Sequence, residues 1–306
     1  MSYIFEALQR AEAERSGGSL PNNADSVADL LQKVEEEIEG KQSVSGLPST
    51  KLESADAEAY ASAKVLSLAL AANARLVCLT DQGSLAAEKF RVLGLKLRHL
   101  REQRKLKRIV ITSSLPEEGK SLIAANLALN QSRSKVLKTV LIDGDLRRPE
   151  LAGRFGFNRN LSGLSEVLRG ERPLSEVVYK LEGSGLRFIP AGVTPENPIE
   201  LMQSDRLRQS LEQLETLFDW IIIDTPPVLP LADTPLWMKL ADGVLLVTRE
   251  GVCEKKQLER TVELIDRSTM LGVLINSCDN NEQNYYYSRY GPPAKGEESP
   301  SPASEN

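Results

Sequence analysis

One stretch constrains the architecture more than any other. Residues 109 to 122 read Ile109, Val110, Ile111 and Thr112, then a turn through Ser113, Ser114, Leu115, Pro116, Glu117 and Glu118, then Gly119, Lys120, Ser121 and Leu122. The β-branched apolar run predicts a strand, and Leu122 to Leu129 continues at helical spacing, so the order is strand, loop, helix. A phosphate-binding loop needs that order. Backbone N–H groups at a helix start surround a polyphosphate, an ammonium at position 120 reaches its outer phosphates, and a hydroxyl at position 121 ligates Mg²⁺. The loop departs from the usual pattern at its first position, where Ser114 replaces Gly.

At 306 residues, 41% hydrophobic and 26% charged, the chain has room for one large α/β domain with appendages and is too apolar to be disordered throughout. A net charge of −5 leaves no broad electrostatic footprint for nucleic acid, so no nucleic-acid partner is expected. Cys78, Cys253 and Cys278 are too few and scattered for a disulfide framework or a zinc site, and read as reduced cytosolic thiols. The most apolar stretch, Val65 to Leu79, is interrupted by Ser67, Asn73 and Arg75 and is too short to span a bilayer. Met1 to Arg15 alternates apolar residues with Glu and Arg and does not read as a signal peptide. The expected location is therefore cytoplasmic, with membrane association supplied by a partner.

The chain divides into a short amphipathic helix at 1–15, a linker with partial helix at 16–79, the main domain at 80–280 and a flexible tail at 281–306. Ile4, Leu8 and Ala11 share one face of the first helix, which either docks on a partner or stays solvated. From Ser16 to about Ser54 the composition shifts to Ser, Gly, Asn, Pro and acidic residues around one possible helix, Val27 to Glu39. Ser84 to Leu100 reads as an amphipathic helix with Ser84 as N-cap and Glu88 in its first turn. The run Lys96, Arg98, Arg101, Arg104, Lys105, Lys107 and Arg108 against Glu102 alone is either a solvated face or a contact for anionic lipid.

Further apolar strands are expected at Thr139 to Ile142, Arg187 to Pro190, Trp220 to Ile223, Gly243 to Val247 and Gly272 to Ile275. Between them lie helical pieces at Leu164 to Leu168 and Leu174 to Val178, one long helix from Pro198 to Leu217, and helices at about 231–239 and 254–268. Near-continuous apolar strands alternating with helices predict an α/β fold: a mainly parallel sheet covered on both faces, with its site at the carboxyl ends of the strands. Three strands end in candidate functional residues: the phosphate loop, Asp143 with Asp145, and Asp224 before Thr225, Pro226 and Pro227. A single strand-terminal Asp is ordinarily a turn or cap residue. Three such ends beside a Gly-Lys-Ser loop instead suggest a Mg²⁺-dependent nucleotide site in which Asp224 holds the metal.

These blocks carry a resemblance. The phosphate loop, Val140 to Pro149 (Val-Leu-Ile-Asp-Gly-Asp-Leu-Arg-Arg-Pro), Gly163 to Leu168, Pro190 to Gly192, Asn197-Pro198 with Glu200-Leu201, and Ile221 to Pro227 together resemble the bacterial tyrosine kinases (BY-kinases) over about residues 80 to 290. The family comprises autokinases of exopolysaccharide and capsule synthesis on a P-loop NTPase-type fold. The resemblance implies ATP and Mg²⁺ as cofactors. It makes Lys120 the phosphate-binding lysine within a nucleotide-binding loop of Ser114, Pro116, Glu117, Glu118, Gly119, Lys120, Ser121 and Leu122, and it makes Ser121, Asp145 and Asp224 metal residues. Asp143 is expected to accept or orient the proton of the tyrosine hydroxyl. Asn276 either helps hold the adenine or is a turn residue. As partners the resemblance implies a membrane-anchored activator of polysaccharide export that recruits the chain to the inner face of the membrane, other copies of the chain, and a cognate tyrosine phosphatase.

Four of the seven tyrosines, Tyr285, Tyr286, Tyr287 and Tyr290, stand in a segment with no core-forming pattern. A tail that cannot bury them suggests a recognised substrate, and BY-kinases phosphorylate such tails in trans. Three positions depart from relatives. Glu117 stands where the family usually has Gly. Leu115 stands where partition ATPases carry a signature lysine, which disfavours the alternative of a nucleotide-switched assembly ATPase. The assembly motif Glu-x-x-Arg-x-x-Arg here ends in Gly94 after Glu88 and Arg91.

Overall fold

The structure, a computed structural model, describes residues 60, 63–70, 74–157 and 161–277. The expected helix at 1–15, most of the linker and the tyrosine-rich tail lie outside the described residues. Eight strands form one sheet: β1 (Val65–Leu66), β2 (Arg108–Ser113), β3 (Thr139–Asp143), β4 (Tyr179–Leu181), β5 (Arg187–Ile189), β6 (Trp220–Asp224), β7 (Gly243–Arg249) and β8 (Met270–Asn276). Their order is β1-β4-β5-β3-β6-β2-β7-β8. All neighbours are parallel except β4 and β5.

The central strands are apolar because both faces are covered. Val110, Val140, Ile142, Ile221, Ile223, Val244 and Leu246 enter one core, and the intervening Ile109, Ile111, Leu141, Ile222, Leu245 and Val247 enter the other. That is the side-to-side alternation of a pleated strand. The second core is roofed by α1 (Val77–Thr80), α2 (Leu85–Gln103), α3 (Lys120–Gln131) and α4 (Leu151–Arg154). The first is roofed by α5 (Leu164–Arg169), α6 (Pro198–Met202), α7 (Asp205–Leu217) and α8 (Asp233–Leu240), with α9 (Lys255–Leu264) at its rim.

The structure corrects several boundaries. The sheet takes in Val65–Leu66 through pairing with β4, and Tyr60 and Leu76 are buried, so the packed region begins before the expected residue 80. The polar ties that hold this segment are not periodic: Asn126 accepts from the Cys78 N–H at 3.1 Å and donates to the Arg75 carbonyl at 3.1 Å. The expected long helix is two, broken at Gln203–Ser204, where Ser204 turns extended and its hydroxyl donates to the Leu201 carbonyl. Leu174–Val177 is a 3₁₀ turn leading directly into β4, a three-residue strand too short to show a period.

Most of the basic run is tied to the protein itself, while Lys96 and Lys105 stay exposed. Arg101 bonds Asp219 at 3.0 Å, with its guanidinium 5.0 Å from the Trp220 ring centre. Lys105 and Arg108 both reach Glu215 at 3.0 Å, and Asp242 accepts from the Lys107 and Arg108 N–H groups. The run therefore stitches the amino ends of β2, β6 and β7.

Gly94 is explained by packing. A Cβ there would run into the side chains of Asn130 and Gln131 on α3, and Gln131 reaches the Gly94 carbonyl. Gly94→Arg, which restores the residue of the assembly motif, is expected to wedge α2 from α3 and cost about 1–3 kcal/mol. A lowered melting temperature checks this; an unchanged one with a larger oligomer in light scattering would contradict it.

Candidate active site

The site sits where β2, β3 and β6 end. Asp224 is the register partner of Ile111 on one side and of Asp143 on the other, so sheet pairing alone brings the two acids beside the start of the phosphate loop. Gly144 lets the chain leave β3 against β6: its N–H donates to the Asp224 carbonyl at 2.8 Å and its carbonyl accepts from Trp237 Nε1 at 3.1 Å. A Cβ at 144 would collide with both partners. Thr112 and Thr234 donate to the Pro226 carbonyl, and Thr225 to that of Ile111, which fixes the Thr-Pro-Pro turn.

The loop is held from inside by Glu118. Its carboxylate is fully buried, with Oε2 accepting from the Leu115 N–H at 2.6 Å and Oε1 from Thr248 Oγ1 at 3.0 Å. It braces the loop to the end of β7. Asn276, register partner of Arg249 at the end of β8, donates through Nδ2 to the Glu118 carbonyl at 2.9 Å, and a Cβ at Gly119 would meet that same amide. The Asn276 amide nitrogen is thus committed to the loop backbone. Gly119 has φ +94° and Glu117 φ +63°. A left-handed glutamate costs about 1–2 kcal/mol. Glu117→Gly is expected to recover about 1 kcal/mol of that strain, offset in part by glycine's greater freedom when unfolded. It also removes a carboxylate from the phosphate approach, so nucleotide should bind several-fold tighter in calorimetry; equal or weaker binding would contradict the argument.

Behind the loop, one ammonium faces three carboxylates. Lys120 Nζ lies 3.3 Å from Asp145 Oδ2 and 3.4 Å from Ser121 Oγ. Burial alone would lower its pKa, but Asp224 and Asp145 outweigh burial and raise it. Burial, then the neighbouring Asp224 and Asp145 charges, push Asp143 well above the usual carboxylate range; the Leu151 N–H, which Asp143 Oδ2 accepts at 3.2 Å, pulls only partly back. Burial pushes Asp224 up to about 6 against the pull of Lys120 and the nearby Ser121 hydroxyl. Both oxygens of Asp224, and Oδ1 of Asp143, lack a hydrogen-bond partner although buried. Asp145 is fully engaged, its Oδ1 accepting from the Arg148 N–H at 3.0 Å.

A cavity of about 710 Å³ opens over this cluster, large enough for a nucleotide. Pro116, Glu117, Gly119, Lys120, Ser121 and Asp145 line it, and Pro227, Pro230 and Leu231 give it an apolar wall. Ser114, Glu118, Leu122, Asp143, Asp224 and Asn276 stand outside that lining. Ser114 is buried with its hydroxyl unpaired, and Leu122 is half-buried on the second core. Arg147, Arg148 and Arg154 also line the cavity, and sequence reading gave them no role. Arg147 makes a two-point bond to the buried Asp233 at 2.8 and 3.1 Å, and Arg154 pairs Glu150 at 2.7 Å. For Arg147 and Arg148 the signal was the Leu-Arg-Arg-Pro block, whose cations follow Asp145; Arg154, five residues past that block, had none. Orphaned buried oxygens on Asp224, beside the Ser121 hydroxyl and Lys120, suit a small hard cation that shares its ligands with phosphates and water. Among the described residues no three His, Cys, Asp or Glu side chains could by themselves hold a metal.

Two other motif blocks prove to be scaffold. Glu166 accepts from the Gly163 N–H at 2.6 Å, the Val193 N–H at 3.0 Å and Arg169 at 2.8 Å, so one buried carboxylate ties Gly163–Leu168 to Pro190–Gly192. A Cβ at Gly192 would strike that carboxylate. Tyr285, Tyr286, Tyr287 and Tyr290 lie outside the described residues.

Comparison with known proteins agrees with this arrangement. A family profile described as an AAA domain matches residues 106–271. The chain is 34% identical over 218 residues to the tyrosine-protein kinase YwqD of Bacillus subtilis, covering 69% of this chain and 90% of that one. It is 32% identical over 186 residues to the tyrosine-protein kinase CpsD of Streptococcus agalactiae, covering 60% and 81%. The kinase domain of Escherichia coli tyrosine kinase ETK superposes with a TM-score of 0.63 at 29% identity over 68% of this chain and 82% of that domain. The chimerical protein CapA2B2 superposes at 0.64 and 29% identity over 74% of this chain and all of that one. With a P-loop, two aspartate-ended strands and relatives matched over most of their length, this chain belongs to the bacterial tyrosine-protein kinase family.

Proposed function

We propose that the chain is an ATP-dependent protein-tyrosine autokinase acting in exopolysaccharide or capsule biosynthesis, with Tyr285, Tyr286, Tyr287 and Tyr290 of a neighbouring copy as acceptors. The observation that carries this reading is the pair of unpartnered oxygens on buried Asp224, beside the Lys120 ammonium and the Ser121 hydroxyl. Ser121 and Asp224 would hold Mg²⁺, with Asp145 assisting, and the cation would supply charge neutralisation to the phosphates of ATP. Lys120 neutralises the transferring group. Asp145 has both oxygens engaged, whereas Asp143 keeps Oδ1 unpartnered and its basicity raised, so the phenolic proton goes to Asp143.

Purified protein incubated with Mg-ATP should form phosphotyrosine. ATP hydrolysis without it would instead support the nucleotide-switched ATPase. Asp143→Asn should lose transfer and keep nucleotide affinity, because the amide cannot accept the proton; equal loss of both would make the residue a binding group. Changing the four tail tyrosines to Phe should remove most of the label without moving the melting temperature. Tyr179 is buried and bonds the Ser162 carbonyl, and Tyr60 is buried, so labelling at either would contradict the assignment. No described helix is long and apolar enough to cross a membrane. Recruitment by a membrane-anchored activator, and reversal by a tyrosine phosphatase, complete the reading.

A further inference from the structure

At the amino ends of the strands, opposite the nucleotide cavity, a second groove of about 750 Å³ is lined by five cations, Arg133, Lys135, Lys138, Lys180 and Arg187, and by no acid. No hydrogen bond or ion pair engages any of these five side chains among the described residues. By contrast, Arg101, Lys105 and Arg108 at the amino ends of β2 and β6 each reach an acid. Asp219, which accepts from the Lys138 N–H, is already taken by Arg101.

Sheet register makes the groove costly. Lys180 and Arg187 are direct partners across the antiparallel β4–β5 pair, so both side chains project from the same face. Like charges directly opposite destabilise a sheet. Arg187 is half-buried, and burial lowers its pKa with no acid to offset it. The β4–β5 turn packs backbone to backbone on the end of α3: Gly183 has φ +69°, and a Cβ at Gly185 would collide with the Ser132 carbonyl. That helix end favours one nearby cation, such as Arg133, through its dipole. It does not account for Lys180 facing Arg187.

We propose that this groove is a second anion site that binds a phosphate-bearing ligand, with Lys180 and Arg187 as its paired contacts and Arg133, Lys135 and Lys138 as its rim. Phosphate fits because opposed cations on adjacent strands bracket a compact multivalent anion, and an arginine fork meets its oxygens in pairs. Two sources share that chemistry, a phospholipid headgroup and a soluble polyphosphate.

The test uses the full chain with its nucleotide site saturated by a non-hydrolysable Mg-ATP analogue. Tripolyphosphate is titrated by calorimetry, and vesicles of phosphatidylcholine with or without phosphatidylglycerol are co-sedimented. The wild type should bind at least one probe, and Lys180→Gln with Arg187→Gln should weaken that binding at least tenfold with nucleotide affinity unchanged. Binding of phosphatidylglycerol vesicles alone assigns a lipid headgroup; binding of tripolyphosphate assigns soluble phosphate. Without ligand the double variant should melt at or above the wild-type temperature, because the repulsion is gone, and the probe should raise the melting temperature of the wild type only. Binding of neither probe, or equal binding by wild type and variant, overturns the site. A double variant that melts lower and shows no probe effect also overturns it, since the two cations would then be paired by an acidic segment of the chain itself.

Discussion

Replacing Lys120 by Met is expected to lower phosphotyrosine formation roughly 10²–10³-fold, the usual loss when one preorganised charge contact to a transition state is removed. The same change should also destabilise the free protein, which sequence reasoning did not anticipate. A phosphate-loop lysine is expected to point at solvent until nucleotide arrives, but here its side chain is 11% exposed and bonded to Asp145. It is the ammonium facing Asp143, Asp145 and Asp224. The sign follows from its raised pKa: the contribution is complete below the ordinary lysine value and is lost only as pH rises through the still higher folded value. At neutral pH the Met variant therefore loses all of it and leaves the carboxylates to repel one another. Below about pH 6, where Asp224 takes up its proton, the deficit against wild type should shrink. Urea midpoints at two pH values measure this. A variant as stable as wild type at neutral pH would mean that the ammonium does not balance the acids, and retained autophosphorylation would remove Lys120 from the mechanism.

Most of the fold was legible because the central strands are short, β-branched and buried on both sides, a pattern that only a covered parallel sheet explains. Strand β4 escaped notice, since three residues show no period and their neighbour, Leu174–Val177, reads as a helical turn. The break at Ser204 was hidden because the Leu201, Leu207, Leu211 stripe continues across it. In the site, motif spacing found every strand-terminal acid but not what each side chain does. Glu118 sits inside a phosphate-binding sequence yet turns inward to hold Leu115, Thr248 and Arg249. Two of these partners lie on another strand, and no local pattern encodes that contact. The basic run misled for the same reason: its acids, Glu215, Asp219 and Asp242, arrive from distant helix and strand ends.

Asp224→Asn should separate stability from function. The wild-type carboxyl is raised to about 6 from an ordinary value near 3.8, so between those values the folded protein holds a proton that the unfolded chain has released. Folding stability must then fall as pH rises through that window, by roughly 1–3 kcal/mol from this group, and stay low above it. The unpartnered oxygens point the same way, because a buried charge with no hydrogen bond is costly to keep. An amide at 224 carries no charge and can donate to Asp143 or Asp145. The ligand-free variant should therefore melt higher than wild type at about pH 7.5 and show a shallower pH dependence, with Asp143 leaving a residual slope. Function should move in the opposite direction. Loss of the anionic oxygen removes the group proposed to hold the cation, so Mg²⁺ should no longer strengthen nucleotide binding and transfer should fall with it. Calorimetry of ATP with and without Mg²⁺, beside melts at two pH values, reads both effects. A variant less stable than wild type at neutral pH would show that the carboxylate is held by contacts favouring its charge. Undiminished Mg²⁺ dependence would place the cation on other residues.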